Sequence, residues 1–155
     1  QPFVDRRSLQ RAFILMRVRA MLCDWFSQWR QGEMPSIELS EFRSQLTQCR
    51  PRPTGWLAVV TSLQSVVAGE TRNAIEHLDL QSETMSDRSV SARELSVLLG
   101  WSSALRDSIG QGGGRDWARA LDLLRAAGAA LPPELNILKK RDSNASQAPM
   151  PRNTI

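Results

Sequence analysis

Trp56-Leu57-Ala58-Val59-Val60-Thr61-Ser62-Leu63-Gln64-Ser65-Val66-Val67-Ala68 is the stretch that decides the fold class. Val59, Val60, Val66 and Val67 are β-branched, a residue type enriched in strands. The spacing points the other way. Trp56, Val59, Val60, Leu63 and Val67 fall on one face of a helix. Thirteen residues is also long for a strand, which usually runs to about 5–6. Gly69 follows, where a helix would end. The stretch is therefore expected to be a helix, and the chain to be all-α.

The neighbouring segments carry the same period. Residues 71–81 hold Ala74, Ile75 and Leu78, and 82–89 form a polar connection. Residues 91–109 hold Leu95, Leu98, Leu99, Leu105 and Ile109, with Ser91 at the start. Residues 115–127 place Trp117, Leu121 and Leu124 on one face, before Gly128. Pro132-Pro133 precede a short helical start at 134–138. Toward the N-terminus, Ser36 is placed to cap a helix over 37–48. The first helix spans 5–31 and shows two apolar stripes. Leu9, Phe13, Met16, Ala20 and Cys23 have the spacing of a buried face, and Val18, Leu22, Trp25, Phe26 and Trp29 form a second stripe.

Length and composition fit one domain at 1–138 with a polar tail at 139–155. The tail is rich in Ser, Asn, Gln and Pro and is expected to stay extended unless a partner orders it. Net charge is +4 over 155 residues. Of the 20 basic residues 18 are Arg, which grips phosphate and carboxylate through two parallel hydrogen bonds. A GC-rich genome gives the same Arg excess through codon usage. The charge is uneven: residues 1–69 sum to +4, 70–138 to −3 and 139–155 to +3. An acidic middle facing protein and basic ends facing an anionic partner is the expected division.

No apolar run approaches the roughly 20 residues that cross a bilayer, so membrane insertion is not expected. No signal peptide is visible. The chain opens on Gln1 and not Met, which is expected to reflect a removed targeting peptide or residues outside the numbering. Cys23 and Cys49 have neither zinc-ligand nor redox-motif spacing and are expected to be free thiols in a reducing compartment.

Two helix–glycine–helix units echo each other. Trp56 and Trp101 lie 45 residues apart, and so do Gly69 and Gly114. The second unit, Gly113-Gly114-Arg115-Asp116-Trp117-Ala118-Arg119-Ala120-Leu121-Asp122-Leu123-Leu124, is followed by Gly128, Pro132 and Asn136. Over residues 91–136 this resembles a pentatricopeptide repeat, in the divergent form found in protist mitochondria. The resemblance implies stacked, solenoid-like helical hairpins. It also implies a place in a mitochondrial RNA-processing complex or ribosome, in the mitochondrial matrix. The period departs from that family's 35 residues, so no base-reading residue is carried over.

No catalytic constellation is legible in the residues. His77 is the sole histidine and lacks a second member for general acid–base work. Gln111-Gly112-Gly113-Gly114 lacks the Lys-Ser/Thr and the preceding strand of a phosphate-binding loop, and reads as a helix–helix turn. The Arg residues at 6–19 suit RNA phosphate, an anionic membrane surface, acidic protein or plain solvent.

The leading expectation is a non-enzymatic structural subunit of a mitochondrial ribosome, with no cofactor, metal or small-molecule substrate. Arg6, Arg7, Arg11, Arg17, Arg19, Arg50, Arg52, Lys139, Lys140, Arg141 and Arg152 would meet rRNA or another structured RNA. Trp25, Trp29, Trp56 and Trp101 would contact neighbouring proteins. The alternative is a helical protein–protein adaptor in a multi-subunit complex without RNA contact.

Overall fold

The computed structural model describes residues 5–85 and 90–139. The tail from Lys140 onward, and residues 86–89 of the expected connection, lie outside the described residues. The described chain is all-α, with seven helices and no strand among those residues: α1 Arg6–Arg30, α2 Ser40–Gln48, α3 Thr54–Val67, α4 Thr71–Met85, α5 Ala92–Ser108, α6 Gly114–Ala126 and α7 Pro133–Leu138.

The valine-rich stretch is helical. α3 ends as its sequence predicts, with Gly69 at φ 81° and the Glu70 N–H donating to the Ser65 carbonyl. That closure uses a left-handed backbone a β-carbon would strain. α3 and α4 pack as one helical pair, α5 and α6 as another, and α5 joins them by packing on both α3 and α4. Ser91 caps α5 by accepting from the Glu94 N–H, a Ser-x-x-Glu start.

α5 is the central helix. Every residue from Glu94 to Leu105 is buried. A helix covered on all sides needs small side chains where neighbours come close, and Ser96, Gly100, Ser102, Ser103 and Ala104 supply them. At Gly113, on the approach to α6, an added β-carbon would sit 2.2 Å from the Ser103 carbonyl oxygen.

α1 reaches this body through aromatic rings. Trp101 of α5 meets Trp25, Phe26 and Trp29 of α1 at centroid distances of 5.6, 4.8 and 4.9 Å. Its indole Nε1 donates to the Ser62 hydroxyl of α3 at 2.8 Å. One side chain thus joins three helices.

Several expectations are corrected. On α1 the buried face follows the second stripe: Val18, Leu22, Trp25 and Phe26 are buried, Met21 joins them, and Trp29 is half-buried. Leu9, Phe13 and Met16 are instead 58%, 57% and 61% exposed. α2 starts at Ser40 and not near 37. The Glu38 carboxylate accepts from both the N–H and the hydroxyl of Ser40, which fixes the first turn there and lowers the Glu38 pKa. α4 runs on to Met85, because Ser82 and Met85 are buried and the Ser82 hydroxyl donates to the Asp79 carbonyl. Both helix–glycine–helix units are present as helix pairs, but the 45-residue spacing does not match position for position: Trp56 is the third residue of α3, whereas Trp101 lies deep inside α5. Gly69 ends a helix, while Gly114 begins one.

The indole of Trp25 is as buried as that of Trp101, yet its Nε1 finds no acceptor among the described residues. Trp101→Phe is therefore expected to cost about 1–2 kcal/mol more than Trp25→Phe, since only the former abandons a buried acceptor. Urea denaturation of the two variants measures this; equal losses would contradict the role given to the Ser62 bond.

Candidate nucleic-acid interface

α1 projects beyond the core at its N-terminal end. Every described residue from Asp5 to Gln10 is exposed, and the first buried position is Val18. No acid occurs between Asp5 and Asp24. Arg6 and Arg7 stand in the first turn, where the helix dipole is positive and cations are unfavourable.

The loop between α2 and α3 comes up against this segment. The Arg11 Nε donates to the Pro51 carbonyl at 2.9 Å. Two concavities open on either side of that bond. One, of about 410 Å³, is lined by Arg7, Gln10, Arg11, Ile14, Gln48, Cys49 and Arg50. The other, of about 600 Å³, includes Arg11, Arg19, Arg52 and Arg93 with Leu15, Met16, Trp56 and Glu94. Arg7, Arg11, Arg50 and Arg52, far apart in sequence, therefore share one surface around Pro51. Arg93 joins them from the start of α5. Sequence reasoning missed it because it lies in the segment whose net charge is negative.

Carboxylate in the larger concavity is already engaged. Glu94 Oε2 accepts from the backbone N–H groups of Gly55 and Trp56 at 2.7 and 3.1 Å, capping α3 from α5. Arg50 is partly engaged as well, donating to the Thr47 and Cys49 carbonyls at the end of α2. Arg6, Arg7, Arg52 and Arg93 have no ion-pair partner among the described residues.

The other expected contacts are placed differently. Arg19 is turned inward: its Nε and Nη2 donate to both carboxylate oxygens of Glu134 at 2.6 and 2.8 Å. Glu134 is fully buried, and the Arg19 guanidinium lies 5.4 Å from the Trp56 ring centroid. That bond raises the Arg19 pKa, and burial together with Glu134 raises that of the Cys23 thiol. Arg17 turns to α2, where it donates to Gln45 and lies over Phe42. Lys139 is exposed at the end of α7, where the Leu138 carbonyl accepts from Arg30. Arg30 is roughly 35 Å along α1 from Arg7 at the helical rise, so Lys139 stands near the opposite end of α1 from Arg7. Lys140, Arg141 and Arg152 lie outside the described residues.

The tryptophans expected as partner contacts are mostly interior. Trp25, Trp56 and Trp101 are buried, and Trp29 is half-buried against Trp101. Five acids of the 70–138 segment, expected to face partners, are bonded inside the fold. Glu134 holds Arg19 and Glu94 caps α3. Asp79 and Asp116 flank Arg106, and Asp107 accepts from the Gly113 N–H.

His77 lines none of the concavities described; burial and Arg43 lower its pKa. Among the described residues no cluster of His, Cys, Asp or Glu could hold a metal ion, and no helix is long and apolar enough to cross a membrane. Cys23 and Cys49 are free thiols. Comparison with protein families, with curated proteins and with solved structures finds no match to this chain.

The division into structural and surface arginines has a direct readout. Glu134→Gln is expected to lower stability by about 2–3 kcal/mol, since it leaves Arg19 without its counter-charge. Arg7→Gln and Arg52→Gln are expected to stay within about 0.5 kcal/mol of the parent. Chemical denaturation separates the two classes; a neutral Glu134→Gln would remove the pair from its structural role.

Proposed function

We propose that this chain is a non-catalytic, RNA-contacting subunit of a large ribonucleoprotein. The supporting observation is the meeting of Arg7, Arg11, Arg50, Arg52 and Arg93 around Pro51, beside an α1 segment that carries no acid. Arg is the side chain best matched to phosphate, and several of these have no competing carboxylate among the described residues.

Arg6 and Arg7 support the reading from a different direction. Placed at the positive end of α1, they work against the helix that carries them. A phosphate there would neutralise both the side chains and the helix terminus. Local choices that disfavour the isolated fold concentrate where function requires them.

The resemblance over 91–136 to pentatricopeptide repeats supports a mitochondrial assembly, most concretely the ribosome in the matrix. The helix pairs beginning at Thr54 and Ala92, followed by the single short helix from Pro133, suit a hairpin-stacked subunit of such a particle. The Lys139–Arg152 tail would make a second, separate phosphate contact.

Salt dependence tests the mechanism. Each phosphate contact removed should lower the slope of log K against log salt by about 0.7–0.9. The Arg7→Gln/Arg52→Gln double variant, which keeps the fold intact, is expected to lose about 1.5 in slope and to bind RNA more weakly at every salt concentration. An unchanged slope in this double variant would leave the protein-only adaptor as the better account.

A further inference from the structure

Leu9, Phe13 and Met16, with the exposed Ala20 one turn on, form an apolar stripe on the side of α1 turned away from Val18 and Leu22. Exposed large apolar residues in a contiguous row mark interaction surfaces rather than ordinary solvent-facing positions. The stripe is continuous with the larger concavity, because Met16 lines its rim. Across that concavity stand Arg52 and Arg93, without ion-pair partners among the described residues.

We infer that this surface docks an acidic amphipathic helix from a neighbouring protein. Its apolar face would lie along Leu9, Phe13, Met16 and Ala20, with carboxylates reaching Arg52 and Arg93. Helices recognised in this way present apolar anchors at three- and four-residue spacing, the spacing of this stripe. The charge selects the occupant. A second copy of this chain would bring two acid-free Arg6–Arg19 segments together, and like charges across an interface are strongly disfavoured. Residues 140–155 carry three basic residues and one acid, so the chain's own tail repels the same surface. RNA would match the arginines but leave the aliphatic Leu9 and Met16 without an apolar partner.

The inference rests on the part of the proposed function that surrounds the chain with protein neighbours; Arg52 and Arg93 also stand on the proposed RNA surface, so the helix and RNA would compete for those two side chains, while the Leu9–Met16 stripe would contact the helix alone. The full chain is titrated with a fluorescent synthetic amphipathic helix, Leu on one face and Glu on the other, and with its Lys-for-Glu twin. Single-stranded RNA is titrated in parallel. The Glu peptide is expected to bind and the Lys twin not. Phe13→Ser/Met16→Ser should weaken the Glu peptide at least about tenfold while RNA affinity stays unchanged. Arg52→Glu/Arg93→Glu should weaken it comparably. These positions are exposed, and circular dichroism should show both variants folded like the parent.

No binding by the Glu peptide, equal binding by the Lys twin, or indifference to the serine pair would each overturn the assignment. Loss of RNA affinity in the serine pair would make the stripe part of an RNA surface instead. A sedimenting dimer dissociated by the same pair would assign it to self-association. An unchanged salt slope for RNA, with the peptide result intact, would defeat the RNA reading alone.

Discussion

Trp101 and the buried helix that carries it set the terms for the rest of this fold. α5 is enclosed by α3, α4, α6 and α7, and only small side chains let so many neighbours approach. Gly100 shows how tight the fit is: an added β-carbon would lie 2.0 Å from Leu135 Cδ2 of α7. Trp101 is the large exception. Its ring reaches out to the α1 aromatics while its N–H is fixed by Ser62, so position and orientation are both set. α1 is therefore gripped through Trp25, Phe26 and Trp29 in its C-terminal half, Ile14 and Leu15 pack more loosely, and Arg6–Gln10 are left exposed.

α7 completes that grip. The buried Glu134 binds Arg19, and the Leu138 carbonyl accepts from Arg30, so α1 is tied to the short helix at two points. Five of the ten acids in the 70–138 segment serve such internal tasks, among them holding Arg19, capping α3 and flanking Arg106. With Glu94 engaged by the α3 backbone, Arg7, Arg52 and Arg93 are exposed and have no ion-pair partner among the described residues. The basic surface follows from how the interior uses its acids, as well as from the number of arginines.

Much of the architecture was legible in the residues. Periodicity placed α1, α3, α5 and α6 within about two residues, and Gly69 marked where α3 would stop. What the pattern could not decide was which stripe of α1 faces inward, because two apolar stripes on opposite sides satisfy the same spacing. The ring-rich stripe won, since Trp25 and Phe26 bury far more apolar surface than Leu9 or Met16 can. The end of α4 was hidden because Ser82 is polar in composition yet closes its hydroxyl on its own helix. Arg19 could not be separated from the other arginines, since its partner is 115 positions away and only the fold brings Glu134 to it. Arg7, Arg11, Arg50 and Arg52 were singled out from charge alone. Their convergence, and the addition of Arg93 from α5, comes only with the packing of the helices.

The proposed RNA contact falls on the surface around Pro51. Ultraviolet crosslinking of the chain within its native particle, followed by mass spectrometry of nucleotide-modified peptides, tests it most directly. Adducts concentrated in residues 6–17 and 48–54, with further ones near Arg93, are the predicted result. Adducts confined to α4 or α6, or an intact particle with none on these segments, would contradict it.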